Sequence, residues 1–77
     1  MTQLDYLKVE AYSALAATKR RSAEEWRRAA QSPGQQPEQV AALDELIATD
    51  LNCALLLERA AKEIIVAAGP LFEEEPR

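Results

Sequence analysis

The sequence contains no histidine and only one cysteine, Cys53, among its 77 residues. A lone cysteine excludes disulfides within the chain, and without histidine a structural metal site lacks its usual ligands. The commonest general base is also missing, so we expect no catalytic site, no metal and no cofactor. A chain of this length covers only about 60% of its unfolded surface by folding. Association with another chain is the reinforcement that remains.

Glycine and proline are scarce, and their positions divide the chain. There are two glycines and four prolines, and two of the prolines and one glycine fall within SPGQQP, residues 32–37. Such a cluster is a strong turn signal. On either side the sequence is rich in alanine, leucine, glutamate and arginine, which favour helix. Thr2 with Asp5 predicts the start of the first helix, Pro37 the start of the second, and Gly69 its end.

We therefore predict an all-α fold, an antiparallel hairpin of helices at about residues 3–31 and 37–68 joined by a turn at 32–36. The hairpin would form one domain, residues 1–70, and residues 71–77 a flexible acidic tail. Four charged residues, Glu58, Arg59, Lys62 and Glu63, interrupt the most apolar stretch and argue against a membrane span. The first residues lack a secretory signal pattern, so we expect a cytoplasmic protein.

Charge is unevenly distributed between the two halves. Residues 1–31 carry six basic and four acidic side chains, whereas residues 32–77 carry three basic and nine acidic ones, giving the chain a net charge of -4. The acidic balance argues against nucleic acid as the main partner. A hairpin folded about Gly34 would bring the basic residues 19–21 near Asp50, and those at 27–28 near Asp44 and Glu45. The candidate basic patch consists of Lys19, Arg20, Arg21, Arg27 and Arg28.

Helix one has a single narrow apolar stripe at helical spacing. Its members are Leu4, Ala11, Tyr12, Leu15, Thr18, Ser22, Trp26, Ala29 and Ala30. Helix two has a full stripe for packing on helix one, consisting of Val40, Leu43, Ile47, Leu51, Ala54, Leu57, Ala61, Ile65 and Ala68. The stripe of helix one is predicted to face helix two, whereas the sequence leaves open whether this stripe of helix two or a second one faces helix one.

Helix two has a second row that contains no charged residue: Ala42, Leu46, Thr49, Cys53, Leu56, Ala60, Ile64 and Ala67. The two stripes together span about 220° of the helix, roughly twice what one neighbouring helix can cover. Three occupants could bury the second row: the tail through Leu71 and Phe72, a second copy in a four-helix bundle, or a different protein. We predict the partner-binding residues to be Leu46, Cys53, Leu56, Ala60 and Ile64.

The opening MTQL, the passage PGQQPEQVAALDELIATDLNCALLLERA at residues 33–60, and the overall size resemble the small helical-hairpin co-chaperones of type III secretion systems. The resemblance is best over residues 33–65, while the arginine-rich helix one and the longer helix two depart from it. It implies a non-catalytic cytoplasmic protein. Its partners would be a larger tetratricopeptide-like chaperone and, through it, the needle subunit, which the complex keeps unpolymerised. The alternative is a homodimeric four-helix bundle of plasmid or phage type that regulates or inhibits a host factor or binds RNA.

Overall fold

In a computed structural model, which describes residues 1–68, the chain is two α-helices joined by a short turn. Helix α1 spans Gln3–Ala30 and helix α2 spans Pro37–Ala67, and the two pack along each other. The predicted all-α hairpin is confirmed, with helix ends within one residue of those expected. The predictions for Gly69 and for the acidic tail at residues 71–77 lie outside the described residues.

Helix α1 begins at the N-cap that the sequence predicts. The backbone N–H of Asp5 donates to Oγ1 of Thr2 over 3.1 Å, and the backbone N–H of Thr2 donates to Oδ2 of Asp5 over 3.2 Å. This reciprocal pair satisfies two backbone donors that have no partner inside the helix. Arg27 and Arg28 lie in the last turn, where positive charge favours the end of a helix.

The turn between the helices depends on Gly34, whose φ of +84° lies in the left-handed region that side chains with a Cβ disfavour. Helix α2 then begins with Pro37, whose fixed φ suits the first helical position and whose missing N–H is not needed there. The backbone N–H of Gln36 donates to Oε1 of Gln39 over 2.9 Å and closes this end of the helix.

The core between the helices is built from alanine. The fully buried residues are Ala16 and Ala23 on α1 and Ala54 and Ala61 on α2, and on each helix the two alanines are seven residues apart. Around them one row of buried and half-buried positions of α2 alternates spacings of three and four: Val40, Leu43, Ile47, Asp50, Ala54, Leu57, Ala61 and Ile64. This is the seven-residue repeat of a coiled coil, and small side chains let the two backbones approach closely. We call this contact the alanine seam.

The prediction of which side of α1 faces α2 was wrong in part. Leu4 and Leu15, which the sequence places in the stripe, are 60% and 50% exposed, whereas Ala16 and Ala23, outside the predicted stripe, are buried. A stripe chosen by apolar size follows the large side chains, but a close helix contact selects the small ones. On α2 the same shift brings Ile64 into the seam, while Ile65, a predicted seam residue, is exposed.

The predicted ion pairs across the hairpin were also wrong. Arg20 instead pairs with Glu58, with Nη2 to Oε1 at 2.7 Å and Nε to Oε2 at 2.8 Å. Arg27 pairs with Glu24 of its own helix at 3.1 Å. Exposed ion pairs contribute little free energy, so they follow the register that packing of the seam sets.

Replacing Ala54 by leucine is expected to destabilise the hairpin by about 1–3 kcal/mol, because a fully buried site in the seam cannot hold the larger side chain without moving the helices apart. Urea unfolding followed by far-ultraviolet circular dichroism measures the change. Ala48→Leu is the matched control, since Ala48 is exposed on the same helix and leucine has nearly the helix propensity of alanine. The control should stay within about 0.5 kcal/mol of the parent. Equal losses in both variants would contradict a seam at Ala54.

Candidate protein-binding surface

Most of the large apolar side chains lie outside the seam. Within residues 1–68 the only buried side chains are alanines, and ten larger apolar residues are exposed. They are Leu4, Tyr6, Leu7, Leu15, Trp26, Leu46, Leu55, Leu56, Ile65 and Val66. Because single exposed apolar residues are ordinary, the question is which of these residues share one face.

The five predicted partner-binding residues lie on one side of α2, but they differ in how far they are exposed. Leu46 is 42% exposed and Leu56 is 61% exposed. Cys53, Ala60 and Ile64 are half-buried, and Ile64 belongs to the seam itself. The structure therefore makes Leu46 and Leu56 the accessible part of the predicted row, with the other three at its inner edge.

Helix α1 contributes to the same side of the hairpin. A shallow groove near the start of α1 is lined by Lys8 and Tyr12 from α1 and by Ala60 and Ile64 from α2. Ala60 is two residues beyond Glu58, which turns it about 200° around α2, so the groove and the Arg20–Glu58 pair lie on opposite sides of the hairpin.

The helical repeat extends this side along both helices. Cys53 and Leu46 precede Ala60 by seven and fourteen residues, and Leu15 and Trp26 follow Lys8 by seven and eighteen, spacings that return to nearly the same side of a helix. Leu15 is 50% and Trp26 37% exposed. We call this side, with Leu15, Trp26, Leu46, Cys53, Leu56 and Ala60, the groove face. The sequence prediction missed Leu15 and Trp26 here because it placed them against α2.

The predicted basic patch is not a uniform surface. Lys19 is half-buried, Arg20 is held by Glu58, and Arg27 is held by Glu24. Arg21 and Arg28 are exposed and lie seven residues apart. The five residues are therefore divided between the seam edge, two ion pairs and the outer side of α1.

The ion pair between Arg20 and Glu58 shifts the titration of both groups. The hydrogen bond from Arg20 lowers the pKa of Glu58, and the positive charge adds to this effect, while desolvation opposes it. The hydrogen bond to Glu58 and its negative charge raise the pKa of Arg20. The pair is therefore charged throughout the neutral range and lies on the side of the hairpin away from the groove face.

Asp50 is the one acidic residue within the described part of the seam of α2, and the structure does not place it as predicted. It was expected to face the basic residues 19–21, yet its Oδ2 is buried and accepts no hydrogen bond. Cys53, three residues further on, is a free thiol at the inner edge of the groove face. Asp50 takes part in neither of the two ion pairs found within residues 1–68.

Three further findings bear on function. No protein-family model, curated protein or solved structure matches the chain. In the part that the structure describes, no three histidine, cysteine or acidic side chains are grouped so as to hold a metal ion. Neither described helix combines the length and the apolar character needed to cross a membrane. The groove face is thus the feature from which function has to be argued.

Glu58→Gln is expected to lower stability at neutral pH and to reduce the loss of stability on acidification. A carboxyl whose pKa is lowered by folding stabilises the fold above its ordinary pKa of 4.5, and this contribution is lost as the pH falls through the lower folded value. The difference in unfolding midpoint between parent and variant should therefore be full at about pH 7 and shrink in the acid range.

Urea midpoints measured from neutral to acid pH test this expectation. Glu10→Gln is the control, because Glu10 is exposed on α1 and has no ion-pair partner within residues 1–68. A pH-independent gap between the parent and Glu58→Gln would contradict a role for the charged pair.

Proposed function

We propose that this protein is a non-catalytic protein-binding module that docks through the groove face. The observation that carries the proposal is the contrast between the seam, where only alanines are fully buried, and the groove face, where Leu46, Leu56, Leu15 and Trp26 are exposed together. Apolar side chains that share a face of a small domain are the usual sign of a docking surface. Burying them against a partner adds the hydrophobic free energy that an alanine seam cannot supply.

Within this class, we propose a co-chaperone of type III secretion. The hairpin architecture supports the resemblance drawn from residues 33–65, and the size of the chain fits a small subunit that completes a larger one. The partner would be a tetratricopeptide-like chaperone, whose stacked helix pairs form concave surfaces suited to receiving a helix. The complex would stabilise that chaperone and help to keep the needle subunit from polymerising. A needle subunit whose apolar helix is covered cannot associate with other needle subunits.

The RNA-binding alternative receives less support from the geometry. It requires the basic patch to present its charges together to a phosphate backbone. Arg20 and Arg27 instead hold Glu58 and Glu24, and Lys19 is half-buried at the seam. Arg21 and Arg28 are the members that are exposed and form no ion pair within residues 1–68, and two such charges are a weak anchor for nucleic acid.

Leu56→Asp is expected to weaken the complex with the larger chaperone by about tenfold or more, because it places a charge at the most exposed apolar residue of the groove face. Leu55→Asp is the matched control. Leu55 is 53% exposed, close to the 61% of Leu56, but one residue along a helix turns it about 100° away from the groove face. The control should change the affinity by less than about threefold.

The measurement uses the full chain co-expressed with the tetratricopeptide-like chaperone and the needle subunit of the same genome. Size-exclusion chromatography with light scattering detects the complex, and calorimetry gives its affinity. Circular dichroism confirms that both variants are helical. Equal affinity for the parent and Leu56→Asp would show that the groove face is not the interface. Failure of the parent chain to join any such chaperone would overturn the co-chaperone proposal.

A further inference from the structure

The two sides of the hairpin that flank the alanine seam are built from different residues. Lys8, Ala60 and Glu63 line the groove, and Arg20 and Glu58 mark the opposite side. The seven-residue repeat, with the neighbouring row four residues away, assigns the other positions of each side. The groove side consists of Leu4, Lys8, Ala11, Leu15, Thr18, Ser22, Glu25 and Ala29 on α1 and Ala42, Leu46, Thr49, Cys53, Leu56, Ala60, Glu63 and Ala67 on α2. The opposite side consists of Gln3, Tyr6, Glu10, Ser13, Ala17, Arg20, Glu24 and Arg27 on α1 and Ala41, Asp44, Ala48, Leu51, Leu55, Glu58, Lys62 and Ile65 on α2.

Charge separates these two sides when every position is counted. Of sixteen positions on each, the groove side has three charged residues: Lys8, Glu25 and Glu63. The opposite side has seven: Glu10, Arg20, Glu24, Arg27, Asp44, Glu58 and Lys62. Both ion pairs found within residues 1–68 lie on that opposite side. The groove side is therefore the one suited to an apolar occupant.

The bottom of the groove is made of larger apolar side chains that are only partly covered. Tyr12 and Ile64 line the groove and are half-buried. At multiples of seven residues from them lie Trp26, which is 37% exposed, and Leu43 and Leu57, which are half-buried. The residues that border this row are mostly small: Ser22, Ala29, Cys53, Ala60 and Ala67. Small residues beside a partly covered apolar row leave room for a ridge of side chains from a further element.

The spacing of this groove matches a third helix. On both helices the lining repeats every seven residues, about 10.5 Å, which is the distance between side chains two turns apart on any helix. An extended strand repeats at about 6.6 Å and pairs through free backbone groups, which α1 and α2 satisfy internally. A membrane surface is disfavoured, since the one lysine and two glutamates of the groove side sum to -1. We propose that one amphipathic helix of a partner protein lies along the groove and contacts both α1 and α2.

The groove also specifies the chemistry of this helix. Its middle carries leucine, isoleucine or phenylalanine at spacings of three and four, because the groove side has no charge between Lys8 and Glu25 on α1 or before Glu63 on α2. Lys8 and Glu63 line the end of the groove near the start of α1, form no ion pair within residues 1–68, and favour one acidic and one basic side chain there. The inference rests on the proposed function and deepens it by naming the element of the partner that the groove face binds.

A designed helical peptide is the probe. It has three heptads with leucine at spacings of three and four, glutamate and lysine on its outer face, and a fluorescent label. Anisotropy at nanomolar peptide, titrated with the full chain, is expected to give a dissociation constant of about 10 μM or lower. A peptide of the same composition, in an order that removes the apolar face, should bind at least about tenfold more weakly. Equal binding of both peptides, or binding of neither, would overturn the proposal.

Matched variants on both helices locate the peptide. Leu15→Glu on α1 and Leu46→Glu on α2 are each expected to raise the dissociation constant about tenfold, because each places a charge beside the groove. The controls are Tyr6→Glu and Leu55→Glu on the opposite side, which should stay within about threefold of the parent. Exposure is similar within each pair, at 50% for Leu15 against 52% for Tyr6 and 42% for Leu46 against 53% for Leu55. An effect of Leu46→Glu without one of Leu15→Glu would overturn a contact with both helices.

Other occupants of the groove give different results. Peptide binding that appears only after serine replaces Leu71 and Phe72 would show that the chain's own last residues fill the groove, and a parent dimer that the peptide does not dissociate would show that a second copy does. Either result overturns the proposal, and circular dichroism excludes loss of the helices as the cause. The two proposals fail separately. Peptide binding without any chaperone complex overturns only the co-chaperone function, and a chaperone complex sensitive to Leu56→Asp but not to Leu15→Glu overturns only the helix in the groove.

Discussion

The close contact of two helices through alanine is the constraint on which the rest of the structure depends. Ala16, Ala23, Ala54 and Ala61 allow the backbones to approach, but each buries little apolar area. Hydrophobic free energy scales with that area, at about 25 cal/mol per Å², so a buried leucine contributes much more than a buried alanine. The larger residues of the seam, such as Leu43 and Ile47, are only partly covered. Because alanines form the closest contact, the seam buries little apolar area and many larger apolar side chains stay exposed.

The exposed apolar side chains of α2 lie on two sides of the helix, and these sides have different surroundings. Leu55 and Glu58 lie on the side where Arg20 closes the hairpin with a double hydrogen bond. Leu46 and Leu56 lie toward the other side, where Leu15 and Trp26 of α1 add apolar surface. A partner that approaches the groove face displaces water from side chains of both helices and breaks no ion pair of the hairpin. This difference makes the groove face the better docking surface of the two.

The features that the sequence predicted well are the local ones. The cluster of residues 32–37, the N-cap at Thr2 and the proline at position 37 each act on their own neighbours, so the helix ends follow without knowledge of the fold. The rotation of α1 could not be predicted, because it depends on which stripe makes the closest contact and the large Leu4 and Leu15 outweigh alanine in any apolar pattern. The register of α1 against α2 could not be predicted either, because it was inferred from exposed charges, and these interact too weakly to set it.

In the candidate site, too, the sequence predicts the features within one helix but not those that depend on how the two helices pack. That Leu46 and Leu56 form an apolar row of α2 follows from periodicity within one helix. The depth of Cys53 and Ala60, and the presence of Leu15 beside them, depend on how α1 is rotated, which periodicity within α2 does not contain. A close helix contact therefore has to be sought in sequences as small residues seven apart on both helices, before the larger apolar residues are assigned to a core.

Asp50 connects the seam to binding. A buried oxygen without a hydrogen bond is unfavourable, and in Asp50 it lies within a seam that has little hydrophobic free energy to offset it. A protein that binds only the folded state adds stability in proportion to the logarithm of its concentration over its dissociation constant. Any protein that occupies the groove face stabilises the fold by the same contacts through which it is recognised, so that folding and binding are then parts of one equilibrium.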